Sequence, residues 1–327
     1  MTFAAPLRFR TSSGYRPVTT DPYAPTMSLV RSLRVFHQRR IALPVTDDAL
    51  VLDVGSGDKP SWRADVLLDR YLGDEYAAQR SGRGRARISR PLFNADAAAM
   101  PFADGAFDYT ICSNLLEHVE DPAGVLRELM RVSRAGYIEV PEASSAKIVD
   151  FPSHIWWCRL DAATEPPTLV FTAKDAPVFD AEIADYLRRS GVQRRVEAVL
   201  NSRFEHRVIM LHWSGAVPHR VEGSVPQSLV AHALAQPGHT KDLQAAVIEK
   251  ATDVLTARTQ RRLRRRRLRY DDLVRPEFRT GDGALLERRV YSDERWTPKP
   301  GPVSTGRTAS RARAAGPPAA GGGAAGS

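Results

Sequence analysis

The chain has 327 residues and a formal net charge of +9 at neutral pH; that length allows one large domain with extensions or two domains, and an apolar fraction of 43% is ample for a buried core. Its two cysteines, Cys112 and Cys158, have no paired spacing, which argues against a disulfide scaffold or a zinc site. No apolar run approaches the length of a membrane span and the N-terminus lacks a signal-peptide core, so a cytoplasmic location is the default expectation.

In chain order, residues 1–26 are rich in Pro, Thr and Ser and read as a flexible arm. Met27 to Ala42 reads as a basic amphipathic helix. Val51-Leu52-Asp53-Val54 is a short apolar run carrying one acid, and it breaks into Gly55-Ser56-Gly57. This predicts a buried parallel strand entering a loop that a ligand must approach closely. A dinucleotide fingerprint needs a third glycine where Pro60 stands, and a P-loop needs Gly-Lys-Ser or Gly-Lys-Thr, which Asp58-Lys59-Pro60 does not supply. Asp58 would also repel a phosphate. A ligand with an amine, a ribose and no phosphate suits the loop better.

Only Asp58 to Arg63 separates this loop from a second strand, Ala64 to Leu68, which ends in Asp69-Arg70. A parallel crossover with its helix takes at least about 10–12 residues, so the first helix is expected to shrink to about one turn with Pro60 near its start. Leu72 to Gln79 suggests a short helix, and 81–90 a Gly- and Arg-rich loop. A third extended stretch leads to Asn94-Ala95-Asp96, and Phe107 to Cys112 is a fourth strand rich in aromatic and β-branched residues. Asp121-Pro122 opens a helix with an apolar stripe, and Tyr137 to Pro141 forms a fifth strand. Beyond it, His154 to Leu160 and Thr168 to Thr172 read as a hairpin, Phe179 to Arg189 as a helix, and Phe204 to Trp213 as a strand completing the sheet in antiparallel sense. Leu229 to Leu234 and Lys241 to Arg269 read as helices, and the Gly/Ala/Pro/Ser segment 298–327 as a disordered tail.

The order of these motifs, with Leu115-Leu116-Glu117-His118 after the fourth strand, resembles the class I S-adenosylmethionine-dependent methyltransferases, in particular the group called type 11. The similarity covers roughly Val51 to Glu142. It implies a Rossmann-like α/β fold, a mainly parallel twisted sheet with helices on both faces, here followed by a C-terminal helical extension. The resulting division is an arm (1–26), a methyltransferase domain (27–215, with its core at 50–142 and a lid or hairpin at 143–175), a helical basic extension (216–297) and the tail.

The same resemblance implies S-adenosyl-L-methionine as cofactor, held by Asp53, Gly55, Ser56, Gly57, Asp69, Arg70, Asp96, Ala97, Asn114 and Leu115. Asp53 lies beside the cofactor or caps the loop through backbone N–H groups. Asp69 is placed for the ribose hydroxyls, with Arg70 its neighbour. Asp96, with the backbone of Ala97, is placed for the adenine or caps its own loop. Glu117 contacts ligand or braces the loop. His118 and His154 are the candidate catalytic bases, needed only if the methyl acceptor carries a proton at working pH, and each has a structural reading beside the functional one. His154, Trp156 and Trp157 form either a packed hairpin core or a substrate cage. The histidines are scattered, and no spacing suggests a metal site.

The expected reaction is direct displacement on the sulfonium methyl by an O, N or C nucleophile of a small-molecule or glycan-type acceptor. A non-catalytic protein that holds RNA or an acidic partner through its basic C-terminal helix is the alternative, and a nicotinamide-dependent oxidoreductase is disfavoured by Pro60. Arg261 to Arg269 carries seven arginines and the segment after Pro298 is also basic, which leaves the rest of the chain slightly acidic. Polyanion binding is therefore expected to be weak, non-specific and confined to Arg261–Arg269.

Overall fold

The first five apolar runs that the sequence marks as strands lie in one sheet. In a computed structural model, which describes residue 37 and residues 43–80, 84–236 and 243–297, these strands are β1 (Val51–Val54), β2 (Val66–Leu68), β3 (Leu92–Phe93), β4 (Tyr109–Ser113) and β5 (Ala135–Pro141). β8 (Val208–Ser214) and β10 (Val290–Tyr291) complete it, giving the order β10-β3-β2-β1-β4-β5-β8. All neighbours are parallel except β8, which runs antiparallel to β5 from Ala135↔Ser214 to Pro141↔Val208. The chain moves outward from β1 to β3 on one side, then returns to place β4 and β5 on the other. That reversal opens a crevice at the carboxyl ends of β1 and β4, where ligands bind in open α/β sheets.

Alternation along the strands sets the two faces. Leu52, Val54, Cys112, Ile138 and Val140 join the large core with Val125, Leu126, Leu129 and Val132 of helix α1 (Pro122–Val132). Val51, Tyr109, Ile111 and Tyr137 point to the opposite face, where Leu43 and Val45 pack on them. α1 starts as the sequence predicts: Asp121 accepts a hydrogen bond from the Gly124 N–H, and Pro122 needs no donor at the first position. The buried thiols of Cys112 and Cys158 are free.

The expected hairpin is present as β6 (Trp156–Asp161) and β7 (Thr168–Ala173), and β9 (His219–Glu222) adds a parallel strand to it. α2 (Ala143–Ile148) precedes the hairpin, and α3 (Ala181–Arg189), α4 (Gln193–Ser202) and the short α5 (Phe204–Arg207) follow β7. The last of these takes the first four residues of the segment read as strand, so that β8 begins only at Val208. α6 (Gln227–Leu234), α7 (Leu243–Leu263) and α8 (Tyr270–Leu273) follow. No helix of the described residues is long and apolar enough to cross a membrane. The expected arm at 1–26, all but His37 of the expected helix at 27–42, and the tail lie outside the described residues.

Two sequence expectations are corrected. Residues 55–65 contain turns and no helix at all, where about one helical turn was expected. Six residues cannot hold both a helical turn and the two reversals a crossover needs. The basic helix is also shorter than its apolar spacing suggests, ending at Leu263. The run Arg264–Arg269 leaves the helix because Leu263 is buried and Arg266 turns back to the sheet. Arg266 donates to the carbonyls of Ala49 and Asp47 and to Asp65. Asp65 in turn accepts from Arg63 and from the Val51 N–H, which ties this turn to the start of β1.

After this turn the chain returns to the core. Phe93 of β3 stacks on Tyr270 and Tyr291, and Trp296 packs against Phe93, Tyr270 and Phe278. Residues 270–296 therefore supply an edge strand and an aromatic cluster to the main sheet. Trp296→Ala is expected to cost about 3–5 kcal/mol, as for other buried aromatics, and to lower the midpoint of the main urea transition. A second, separate transition, with the main one unmoved, would show that this segment folds apart from the sheet.

Candidate active site

The site is built from four short segments at the carboxyl ends of β1, β2, β3 and β4. Gly55 (φ +72°) and Gly57 (φ +52°) both take left-handed backbone. Their demands differ. A Cβ on Gly55 would lie 2.9 Å from Leu115 Cδ1, whereas one on Gly57 meets nothing nearer than 3.9 Å. Gly55 therefore lets the loop after β4 pack against the loop after β1 across the crevice, and this contact brings Leu115 to the site.

Without a helix after β1, the backbone donors of the crossover need other partners. Side-chain carboxylates provide them. Asp53 accepts from the Ser61 N–H at 2.7 Å. Asp69 accepts from the Gly57 N–H at 2.7 Å and the Tyr71 N–H at 2.8 Å. Burial pushes Asp69 upward against these hydrogen bonds and the guanidinium of Arg80. Asp96 accepts from the Ala98 N–H through one oxygen and from Arg70 at 2.7 Å through the other. The loop-capping alternative thus describes a contact each acid makes. A carboxylate oxygen has a second lone pair, so the caps leave capacity for a ligand.

One further observation fits a small polar ligand at this loop. The Ser56 hydroxyl is buried and makes no hydrogen bond with the described residues. Ala97 is buried beside Asp96, and Arg70 also lies over the Tyr71 ring.

The loop after β4 carries the second half of the site. Asn114 takes φ +52°, and its backbone N–H and its side-chain amide both donate to Glu139, the former to the carbonyl and the latter to the carboxylate. Tyr137 donates to the other carboxylate oxygen of Glu139. His118 Nδ1 lies 2.9 Å from the Ser153 carbonyl, and the His118 and His154 rings meet edge to face with centroids 4.8 Å apart. Backbone bonds secure this meeting, from the Ile155 N–H to the Glu117 carbonyl and from the Trp156 indole to the Val119 carbonyl. The two candidate bases, 36 positions apart in the chain, thus face each other.

Glu117 lies against them, 1% exposed, with neither carboxylate oxygen hydrogen-bonded among the described residues. Burial, with a smaller contribution from Glu139, pushes it up to about 8. Trp156 is core and donates to the loop, while Trp157 covers the ammonium of buried Lys174 at 4.4 Å.

Sequence reasoning passed over Arg80 and Glu139. Arg80 is buried, bonds the carbonyls of Gly73 and Gly84, and sits beside Gly57. Nothing in a Gly- and Arg-rich stretch marks one arginine as buried. Glu139 had a visible signal: an acid inside an apolar strand must find a partner.

Residues 52–138 match the family model described as a methyltransferase domain. The match falls on the stretch whose motifs resemble the class I, type 11 methyltransferases. A protein of Mycobacterium sp. (strain KMS) described as an uncharacterized methyltransferase is 36% identical over 94 residues, covering 28% of this chain and 36% of that one. A demethylmenaquinone methyltransferase of Roseiflexus sp. (strain RS-1) is 33% identical over 118 residues, covering 34% of this chain and 48% of that one. The chain thus spans between about a third and a half of these relatives. Among solved structures, a protein of Pyrococcus horikoshii OT3 is 16% identical, covers 50% of this chain and 82% of that one, and has a TM-score of 0.28.

Removing the Asp69 carboxylate leaves the Gly57 and Tyr71 N–H groups unpartnered. Asp69→Ala is expected to destabilise the fold by about 1–3 kcal/mol for each donor left buried. Urea denaturation of the ligand-free protein measures this, and an unchanged midpoint would contradict the bracing role.

Proposed function

We propose that the chain transfers a methyl group from S-adenosyl-L-methionine to an O, N or C nucleophile of a small-molecule or glycan-type acceptor. The observation that carries this reading is the contact of Gly55 with Leu115 across the crevice between β1 and β4, beside a buried, unpartnered Ser56 hydroxyl. The methyltransferase-domain match over 52–138 supports it. When bound, the cofactor supplies an activated sulfonium methyl and its own leaving group.

The chain's part is to bind, align and exclude water. Gly55 and Gly57 let the backbone approach the ligand, and Ser56 offers a hydroxyl. The remaining lone pairs of Asp69 suit a ribose diol, those of Asp96 an exocyclic amine, and Asn114 and Leu115 close the crevice from β4. Asp53 acts through the loop it braces, and Arg70 acts through Asp96. His118 and His154 stand where a proton leaving the acceptor can be taken up.

Calorimetry with S-adenosylmethionine, its demethylated product and NAD tests the reading. We expect binding of the first two and none comparable of NAD. Gly55→Ala should abolish binding with the fold retained, because the methyl group pushes Leu115 off the loop. Equal affinity for NAD, or indifference to Gly55→Ala, defeats the proposal. A methyl-transfer screen over metabolite extracts would then identify the acceptor.

The basic run supports only weak polyanion binding. Arg262 pairs with Asp47 and Arg266 with Asp65, so not all seven charges are available. Arg264 and Arg266 also line a cleft with Arg90 and Arg288 at the amino ends of β2 and β3, the opposite edge from the glycine loop. RNA held there would not reach the crevice directly. Replacing exposed Arg264, Arg265 and Arg267 with Gln should remove any single-strand binding, which should fall with salt at a log–log slope of about −0.7 per phosphate contact. Methyl transfer should survive. Turnover seen only with nucleic acid would instead favour the RNA-binding alternative.

A further inference from the structure

Glu117, His118 and His154 each turn one potential ligand atom inward, and these atoms lie within 4.8 Å of one another. His118 Nε2 and Glu117 Oε1 are 4.0 Å apart, too far for a hydrogen bond. Ligand atoms each about 2.0–2.2 Å from one ion at tetrahedral angles sit about 3.3–3.6 Å apart. Side-chain rotations on the order of one ångström would therefore close the cluster on a cation.

Three features distinguish it from a chance meeting of polar groups. Glu117 is 1% exposed with both carboxylate oxygens lacking a hydrogen-bond partner among the described residues. A buried acid with no partner is costly, and one that binds a cation is not. Secondly, His118 Nδ1 faces the Ser153 carbonyl, which can only accept, so the ring proton is on Nδ1. Nε2 then carries the lone pair and points into the cluster, the orientation a metal-binding imidazole takes when its far nitrogen is held by a carbonyl. Thirdly, the strap from 153 to 156 is bonded to the loop from 117 to 119, which fixes His154 against its partners.

We propose that Glu117, His118 and His154 form a binding site for one divalent first-row transition metal ion. Two imidazoles and one carboxylate favour manganese, iron, cobalt or zinc over magnesium or calcium, which prefer an all-oxygen shell. Three protein ligands leave positions open, and an acceptor oxygen bound there becomes easier to ionise. That use of the ion rests on the methyl-transfer reading; its binding does not.

The experiment uses the full chain, stripped with a chelator and titrated with Mn2+, following loss of the free-ion electron paramagnetic resonance signal. Calorimetry with the demethylated cofactor is run on the same samples. We expect one Mn2+ per chain, with affinity reduced about tenfold or more in both Glu117→Gln and His154→Ala, and cofactor-product binding kept in at least His154→Ala. Circular dichroism identifies any variant that has lost its fold, and half-exposed His154 provides the decision if Glu117→Gln fails to fold. Absence of Mn2+ binding in the parent chain, or binding unchanged in a folded variant, overturns the site. Loss of cofactor binding in the parent chain with Mn2+ still bound would overturn the methyl-transfer reading and leave the metal site standing.

Discussion

The crossover between β1 and β2 is too short for a helix, and much of the site follows from that constraint. In a full crossover, the helix N-terminus would present several N–H groups and its dipole to a ligand. Here the donors of 55–71 are met by carboxylates: Asp53 holds Ser61, and Asp69 holds Gly57 and Tyr71. The loop is rigid because acids on the strands brace it. Acids lining a loop suit a cationic or hydroxyl-bearing ligand and repel a phosphate, which agrees with a cofactor bearing a sulfonium, an amine and a ribose.

Gly55 joins this loop to the rest of the crevice. Its missing side chain lets Leu115 approach, and Leu115 begins the turn that carries Glu117 and His118. Behind that turn, Asn114 in left-handed backbone and Tyr137 together hold the buried Glu139, so the turn is anchored to β5. In front of it, the strap before β6 supplies Ser153 and His154. The glycine loop and the cluster of Glu117, His118 and His154 are thus connected by a few adjacent contacts, and a change at Gly55 would be felt at His118.

The C-terminal part follows a similar pattern of short-range bracing at a sheet edge. Arg266 bonds the segment before β1 and joins Arg63 at Asp65, and the aromatic cluster around Phe93 fastens β10 beside β3. The edge left open by β3 is covered by the chain's own later residues, which removes an exposed pairing edge.

Much was legible in the sequence because strands and glycine turns are local. The alternation and apolar runs of Val51–Val54, Tyr109–Ser113 and Tyr137–Pro141 fix buried strands, Asp121-Pro122 fixes a helix start, and Gly55 and Gly57 mark left-handed turns, all from steric and hydrogen-bonding rules acting within a few residues. The spacing from Asp58 to Arg63 likewise showed that the first helix is trimmed, although its complete loss depended on how Asp53 and Asp69 could satisfy the loop. What only the tertiary structure decided is which distant groups meet. His118 and His154 are scattered in the sequence and adjacent in space because β6 returns across the end of β4. Glu117 lacks a hydrogen-bond partner among the described residues and Arg80 is buried because packing excludes water from both. The arginine run leaves its helix because an ion pair to Asp65, about two hundred positions earlier, outweighs continuing the helix. Those outcomes depend on long-range burial and charge pairing, which no local pattern of residues encodes.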